Sequence, residues 1–281
     1  MRILLIGDVV GKPGRHIIVQ GLKGLIAREG LDLVIANGEN AAGGSGITPA
    51  IYRELLRAGV DCITLGDHIY RRQEIAPLMQ QESNIVKPAN FPAEAAGHEL
   101  AIVKARNGVS VGVFSLLGRV FMRPVDCPFA AADRVLKSVP PDVKVLVLDC
   151  HAEATSDKQL MGRFLDGRVS AVLGTHTHVA TADEQILPGG TAFQCDVGMT
   201  GPYESILGRR IDRVLETTRT FLPTHFEVAT GDPRLCGTIV EVDEATGRAT
   251  GIRRLCVTAR EADALAQAEA KNSATSTSPA S

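Results

Sequence analysis

Eight side chains able to ligate a metal ion or carry a proton follow short aliphatic runs: Asp8, Glu39, Asn40, Asp67, His68, His151, His176 and His178. Carboxylates, an amide and imidazoles form an oxygen and nitrogen donor set that suits manganese, iron or zinc. The supply is larger than one ion takes, and two ions sharing a bridging carboxylate would use it. Each piece alone has an ordinary structural reading. Asp8 and Asp67 could cap helices, Asn37-Gly38-Glu39-Asn40 could be a plain turn, and a lone His151 reads as a core or surface histidine. His176 and His178 say more, because alternate strand positions put both imidazoles on one side. The shared placement of all these groups, each at the end of an apolar run, argues for a metal centre. His16, His98 and His225 stand outside the pattern and read as structural. Cys150, beside His151, reads as a small strand-core residue.

Segments 3–6, 33–36, 62–65, 143–148 and 169–173 must position these groups. Near-continuous apolar runs of this length suit strands buried on both faces. In open α/β sheets the carboxyl ends of such strands form the ligand-binding edge. Helices are expected from near Pro13, after Thr48-Pro49 with Thr48 as cap, and over 71–80, 130–137 and 157–165. Strand–helix alternation predicts a layered α/β fold. Segments 98–104 and 109–116 flank Asn107-Gly108 as a hairpin. Segments 236–242 and 251–257 form a second hairpin-like pair. These antiparallel strands imply a mixed sheet or a two-sheet sandwich with outer helices. The expected organisation is one domain over residues 1–270, with 271–281 a disordered Ser/Thr/Ala-rich tail.

The bulk properties narrow the class. Hydrophobic residues make up 44% of the chain, enough for a large core, and with no Trp and 4% aromatics that core must be aliphatic. The net charge is -2 and no basic block appears, which excludes a general nucleic-acid binder but leaves a nucleotide or short oligonucleotide as substrate. Six scattered cysteines without a CxxC pair read as reduced, mostly buried thiols. The first apolar run is too short for a signal sequence, and none reaches the roughly 20 apolar residues of a membrane span. A soluble cytoplasmic protein with no membrane partner is expected. Residues 7–12 lack the spacing of a phosphate loop, 43–46 lack GxGxxG, and neither HExxH nor GxSxG occurs.

Asp8, Gly38-Glu39-Asn40, Gly66-Asp67-His68, His151 and Gly174-Thr175-His176-Thr177-His178 resemble the calcineurin-like metallophosphoesterase superfamily. Stretches 7–15, 37–44, 151–156 and 196–202 are similar to the bacterial YmdB-like family. The resemblance implies a four-layer αββα sandwich, two mixed β-sheets flanked by helices. It implies two divalent metal ions, iron or manganese before zinc or magnesium, and a homo-oligomer. It implies a phosphodiesterase acting on cyclic nucleotides, notably 2′,3′-cyclic ones such as 2′,3′-cAMP. One ion would be held by Asp8, Glu39, Asn40 and His178, and the other by Glu39, Asp67, His151 and His176, with Glu39 bridging. A hydroxide between the ions would attack phosphorus, and His68 would protonate the departing ribose oxygen.

Two departures from the wider pattern stand out. Val10 occupies the place of the histidine in the superfamily's Asp-x-His, a vacancy Asn40 can fill. Asp67 stands where the YmdB-like family usually has Asn. Asp8, Glu39, Asp67 and one hydroxide together balance two divalent ions, so an ionised Asp67 is tolerable beside metal. Glycines 43, 44 and 46 and residues 198–202 are candidate walls of the substrate pocket. Three other functions stay open: a phosphomonoesterase or nucleotidase with the same metals, a nuclease, which the charge pattern disfavours, and a metal-bearing regulatory protein that binds a nucleotide as a signal.

Overall fold

The computed structural model describes residues 1–276, with side chains through Lys271. Along the chain, β1 (Arg2–Ile6), β2 (Asp8–Val9), α1 (Gly11–Glu29), β3 (Leu33–Asn37), α2 (Pro49–Ala58) and β4 (Cys62–Thr64) come first. Next are α3 (Ala76–Gln81), β5 (Ile85–Val86), β6 (Leu100–Lys104), β7 (Ser110–Leu117), α4 (Pro128–Ser138) and β8 (Val145–His151). The rest is α5 (Thr155–Phe164), β9 (Ala171–Thr175), β10 (Gln185–Ile186), β11 (Ala192–Gln194), β12 (Met199–Glu204), α6 (Ile211–Thr220), β13 (Gly231–Val242), β14 (Ala249–Thr258) and α7 (Ala259–Ser276).

The strands form two mixed sheets. One has eight strands in the order β2-β12-β13-β1-β3-β4-β5, with β14 also on β13; the other has six, β10-β11-β9-β8-β7-β6. Strands β1, β3, β4 and β5 run parallel, with β13 antiparallel to β1. In the second sheet β7, β8, β9 and β11 run parallel, and β6 and β10 close its edges antiparallel. Both expected hairpins, β6–β7 and β13–β14, are present.

Period-two alternation sorts the aliphatic side chains into layers. Ile3, Leu5, Leu33 and Ile35 meet Val111, Val113, Val145, Val147 and Leu173 between the sheets. Leu4, Ile6, Val34 and Ala36 point the other way, under Ile17 and Leu22 of α1, Leu55 of α2 and Leu265 of α7. Phe114, Leu146, Leu148 and Val172 pack against Ala131 and Val135 of α4 and Met161 of α5. Helix, sheet, sheet and helix make the expected four layers.

Local chemistry explains most boundaries. The Thr48 hydroxyl accepts from Ile51 N–H at 3.2 Å and Pro49 opens α2. The expected helix over 71–80 is broken instead: Gln73–Ile75 is a 3-10 turn and α3 starts afresh at Ala76. Pro77 has no N–H to extend a longer helix and is at home only in a first turn. The pattern reading missed α6 and α7. Gly21 and Gly24 of α1 leave room for Ala262 and the Leu265 backbone, so α7 docks closely. It then runs to Ser276, through part of the stretch expected to be disordered; residues 277–281 lie outside the described residues. All six cysteines are free; Cys62, Cys150, Cys195 and Cys236 are buried, while Cys256 is exposed across the β13–β14 ladder from Cys236. Among the described residues no helix is long and apolar enough to cross a membrane.

Candidate metal centre

Register sets the floor of the site. Ile6 is level with Ala36, and Ala36 with Ile63, so β1, β3 and β4 stop together. Asp8, Glu39, Asn40, Asp67 and His68 lie just beyond that line. In the second sheet His151, the last residue of β8, is level with Thr175, the last of β9. Gly66 lets these ends converge: a Cβ there would run into the Glu39 carboxylate and the His151 ring.

His176 and His178 reach the centre by another route than strand alternation. Strand β9 ends at Thr175, and both histidines follow it with φ of 95° and 65°. Such left-handed backbone costs a residue with a Cβ about 1–3 kcal/mol. Asp196 holds the turn against that cost. Its Oδ2 accepts from Thr177 N–H at 3.0 Å and Thr177 Oγ1 at 2.7 Å, and from the buried Lys158 Nζ at 2.8 Å.

Glu39, Asp67, His151 and His176 offer ligand atoms that all lie within 4.8 Å of one another. His151 Nε2 is 3.0 Å from His176 Nδ1, 3.2 Å from Asp67 Oδ1 and 3.4 Å from Glu39 Oε1. A second group adjoins it through Glu39. Asn40 Nδ2 lies 3.1 Å from Glu39 Oε1 and 3.4 Å from His178 Nε2, and His178 Nε2 lies 3.7 Å from Asp8 Oδ1. Asn40 presents its nitrogen to Asp8 and His178, and its Oδ1 to His68 Nδ1 at 2.8 Å. Serving as a ligand requires a half-turn of the amide, which exchanges the two atoms without moving the residue.

The outer partners of the three imidazoles decide which nitrogen faces inward. His151 Nδ1 lies 2.8 Å from Thr175 Oγ1, whose own proton goes to Asp149 Oδ1 at 2.6 Å. Nδ1 must therefore donate, leaving Nε2 with a lone pair. His178 Nδ1 donates to the Leu207 carbonyl at 3.1 Å, which frees its Nε2. His176 Nε2 faces Glu153 Oε2 at 3.2 Å, which frees its Nδ1. All three free nitrogens point at the carboxylate cluster.

Asp8 and Glu39 are buried, and among the described residues the three carboxylates ion-pair only with imidazoles, never with Lys or Arg. Burial opposes ionisation of Glu39, but His151 and His68 outweigh it and hold the carboxyl well below its usual range. Burial also opposes the charge on Asp67, and the His151 hydrogen bond lowers its pKa. Burial raises the pKa of Asp8, against the pull of His178 and His151. On His151 burial is overcome by Glu39 and Asp67, which push its pKa well up; the proton they favour on Nε2 is the one a metal ion would displace to use that lone pair. Carboxylates without a fixed cation, ringed by inward-facing imidazole nitrogens, fit divalent metal ions, which would take the place of the protons between them.

Beneath the centre the inter-sheet core turns polar. Asn37 continues the inward face of Leu33 and Ile35, Thr64 that of Cys62, Asp149 that of Val145 and Val147, and Thr175 that of Leu173. Asp149 Oδ2 accepts from Asn37 Nδ2 at 2.9 Å and Thr64 Oγ1 at 2.5 Å. These supports, with Glu153 and Asp196, were given no role from sequence, although the period-two pattern of β3, β4, β8 and β9 places a polar residue on the inward face near the end of each strand.

Above the centre lies a cavity of about 310 Å³ lined by Glu39, Asn40, His68, Glu153, His176, His178 and Arg209, among others. Arg209 donates to the carbonyls of Gly43, Gly44 and Phe226 and has no described carboxylate partner. Gly44, at φ 86°, has no room for a side chain beside that guanidinium. Gly44, one of the candidate pocket walls, thus lines the cavity with Arg209 packed on its backbone.

Comparison with known proteins gives the chain its family. The chain is 44% identical over 257 residues to the 2′,3′-cyclic-nucleotide 2′-phosphodiesterase of Bacillus subtilis (strain 168), covering 92% of this chain and 97% of that protein. A crystal structure of a hypothetical protein from Thermus thermophilus superposes with a TM-score of 0.85 at 41% identity, over 92% of this chain and 99% of the other. A novel phosphatase from Mycoplasma pneumoniae gives a TM-score of 0.86 at 30% identity, over 92% and 93% of the two chains. Residues 4–255 match the model of the YmdB-like protein family, and the chain belongs to that family.

Proposed function

We propose that this chain is a metal-dependent phosphodiesterase that opens 2′,3′-cyclic nucleotides such as 2′,3′-cAMP. The observation that carries the reading is the set of three imidazoles whose outer partners leave a lone pair aimed at one carboxylate cluster. The activity of the Bacillus subtilis relative supports the choice of substrate. Asp8, Glu39, Asn40 and His178 would hold one divalent ion and Glu39, Asp67, His151 and His176 the other. The mixed imidazole and carboxylate donors favour iron or manganese over magnesium. When bound, such ions lower the pKa of water and neutralise phosphate charge.

The residues of the chain do the rest. His68 lies in the cavity wall, with its backbone N–H on Glu39 Oε2 at 3.0 Å and Nδ1 held by Asn40. His68 is the imidazole in that wall that belongs to neither ligand group, which leaves its ring able to give a proton to the leaving ribose oxygen. Arg209 contributes a positive charge to the same cavity, where it can pair with a phosphate oxygen. The free thiols fit a reducing cytoplasm. Helix α6 buries none of its residues and leaves Ile211 and Leu215 exposed, an apolar face that suits a homo-oligomer.

The test is a screen of stripped and reconstituted protein against cyclic nucleotides, linear diesters and monoesters. Stripping should abolish hydrolysis of 2′,3′-cAMP, and manganese or iron should restore it better than magnesium. Undiminished activity in metal-free protein would end the proposal. Activity confined to monoesters would make it a nucleotidase, and full metal occupancy with tight, unhydrolysed nucleotide would make it a regulatory protein.

A further inference from the structure

We infer that a second phosphate site adjoins the metal centre and fits the internucleotide phosphate of a short oligoribonucleotide ending in a 2′,3′-cyclic phosphate. This rests on the function proposed above and narrows its substrate. Two cavities flank the Asp67-His68 step. His68 lines the one already described; Asp67 lines another, of about 440 Å³, together with Tyr70, Arg71 and Arg123. A substrate whose cyclic phosphate sits on the centre can therefore extend past Asp67 toward two guanidiniums.

Those guanidiniums come from separate parts of the chain. Arg71 follows the Asp67-His68 turn, its N–H bonded to the His68 carbonyl at 2.9 Å. Arg123 belongs to the loop after β7, and its guanidinium lies 5.6 Å from the centroid of the Phe91 ring. Phe91 stacks on Tyr70 at 6.2 Å, and Tyr70 donates its hydroxyl to the Ala96 carbonyl at 2.6 Å, which fixes the wall. Neither arginine forms an ion pair with a described residue. Elsewhere Arg106, Arg134, Arg168 and Arg254 each hold a carboxylate. Among the described residues Asp67 is the one carboxylate lining that cavity, and it would serve the metal centre, so two guanidinium forks without an ion-pair partner are left to match the oxygens of a phosphate.

A phosphate here could also be the 5′-phosphate of a single nucleotide. Phe121 favours the longer substrate: it stands two residues from Arg123, is 90% exposed and has φ 61°. The loop that brings Arg123 to the cavity thus also carries an exposed ring on which a neighbouring base can stack. The absence of any broad basic block limits the substrate to a short strand.

The experiment compares kcat/KM of the metal-loaded full chain on 2′,3′-cAMP, on its 5′-phosphorylated form and on the dinucleotide ApA with a 2′,3′-cyclic end. The dinucleotide should be preferred over 2′,3′-cAMP by about tenfold or more, through KM. The Arg71→Ala/Arg123→Ala double variant should lose that preference while keeping its metal content and melting temperature, which show that it is folded. Phe121→Ala should lower the dinucleotide preference alone. Turnover of 2′,3′-cAMP with no preference for either longer substrate would overturn the second site and leave the proposed function standing. A preference met in full by the 5′-phosphorylated mononucleotide would overturn the oligonucleotide assignment. No turnover of 2′,3′-cAMP by wild type would sink the underlying reading instead.

Discussion

The two sheets supply the centre differently. The first sends carboxylates just beyond the ends of β1, β3 and β4, where level strand ends and the bare backbone of Gly66 are enough to bring them together. The second sends imidazoles, and each ring needs a partner behind it: Thr175 and Asp149 for His151, Glu153 for His176, the Leu207 carbonyl for His178. A carboxylate presents an oxygen however it turns, whereas an imidazole is a ligand only in one tautomer and one orientation. The imidazole side is therefore costlier to build and more open to indirect damage.

Changes to the first sheet should act through the ligand itself. The largest effect is expected for Glu39→Gln, since this carboxylate touches both ligand groups. Turnover should fall by more than about 10³-fold with loss of bound metal. Two retained ions and normal turnover would remove Glu39 from the bridging position.

Second-sheet changes should act through support. Asp196→Ala leaves Lys158 charged and unpaired in the interior and releases the Thr177 turn. A loss of about 3–5 kcal/mol is expected in denaturant unfolding. A variant as stable as wild type would show that Asp196 does not hold the left-handed turn. Thr175→Val touches no metal, yet should lower metal affinity or activity by about 10–100-fold, because His151 loses the acceptor that sets its tautomer. Unchanged metal titration would break the contrast between the sheets. The smallest effect is expected for Asp67→Asn. The amide keeps an oxygen in place on a group that is only partly buried, so activity should stay within about tenfold of wild type.

The same contrast explains how much was legible in the sequence. Asp8, Glu39 and Asp67 could be read because each directly follows an aliphatic run, and a parallel strand end is a fixed place in space. His151 could be read for the same reason. His176 and His178 were identified, but on the wrong geometry: sequence spacing does not reveal that β9 stops at Thr175 and the backbone turns left-handed. The clamp that allows this turn, Lys158 with Asp196, joins residues 38 positions apart. No local pattern carries such a pairing. Arg209 was missed because its cavity role arises from a loop 165 positions from Gly44 in sequence. Helix α7 was missed because the stripe it buries is narrow and rich in alanine, Ala262 and Leu265, and needs the two glycines of α1 to dock closely.

The most direct test of the central claim separates proton transfer from metal binding at His68. On the proposed account His68→Ala removes no ligand, so the variant should keep its full metal content. Turnover of 2′,3′-cAMP, with its poor alkoxide leaving group, should fall by roughly 10²–10⁴-fold. On a nitrophenyl diester, whose leaving group scarcely needs a proton, the loss should shrink markedly. Metal content and both rates should be measured on one preparation. Loss of metal with equal slowing of both substrates would make His68 a structural neighbour of the ligands and contradict the account. Equal slowing with metal retained would contradict it as well, leaving His68 to position the phosphate rather than to protonate the leaving oxygen.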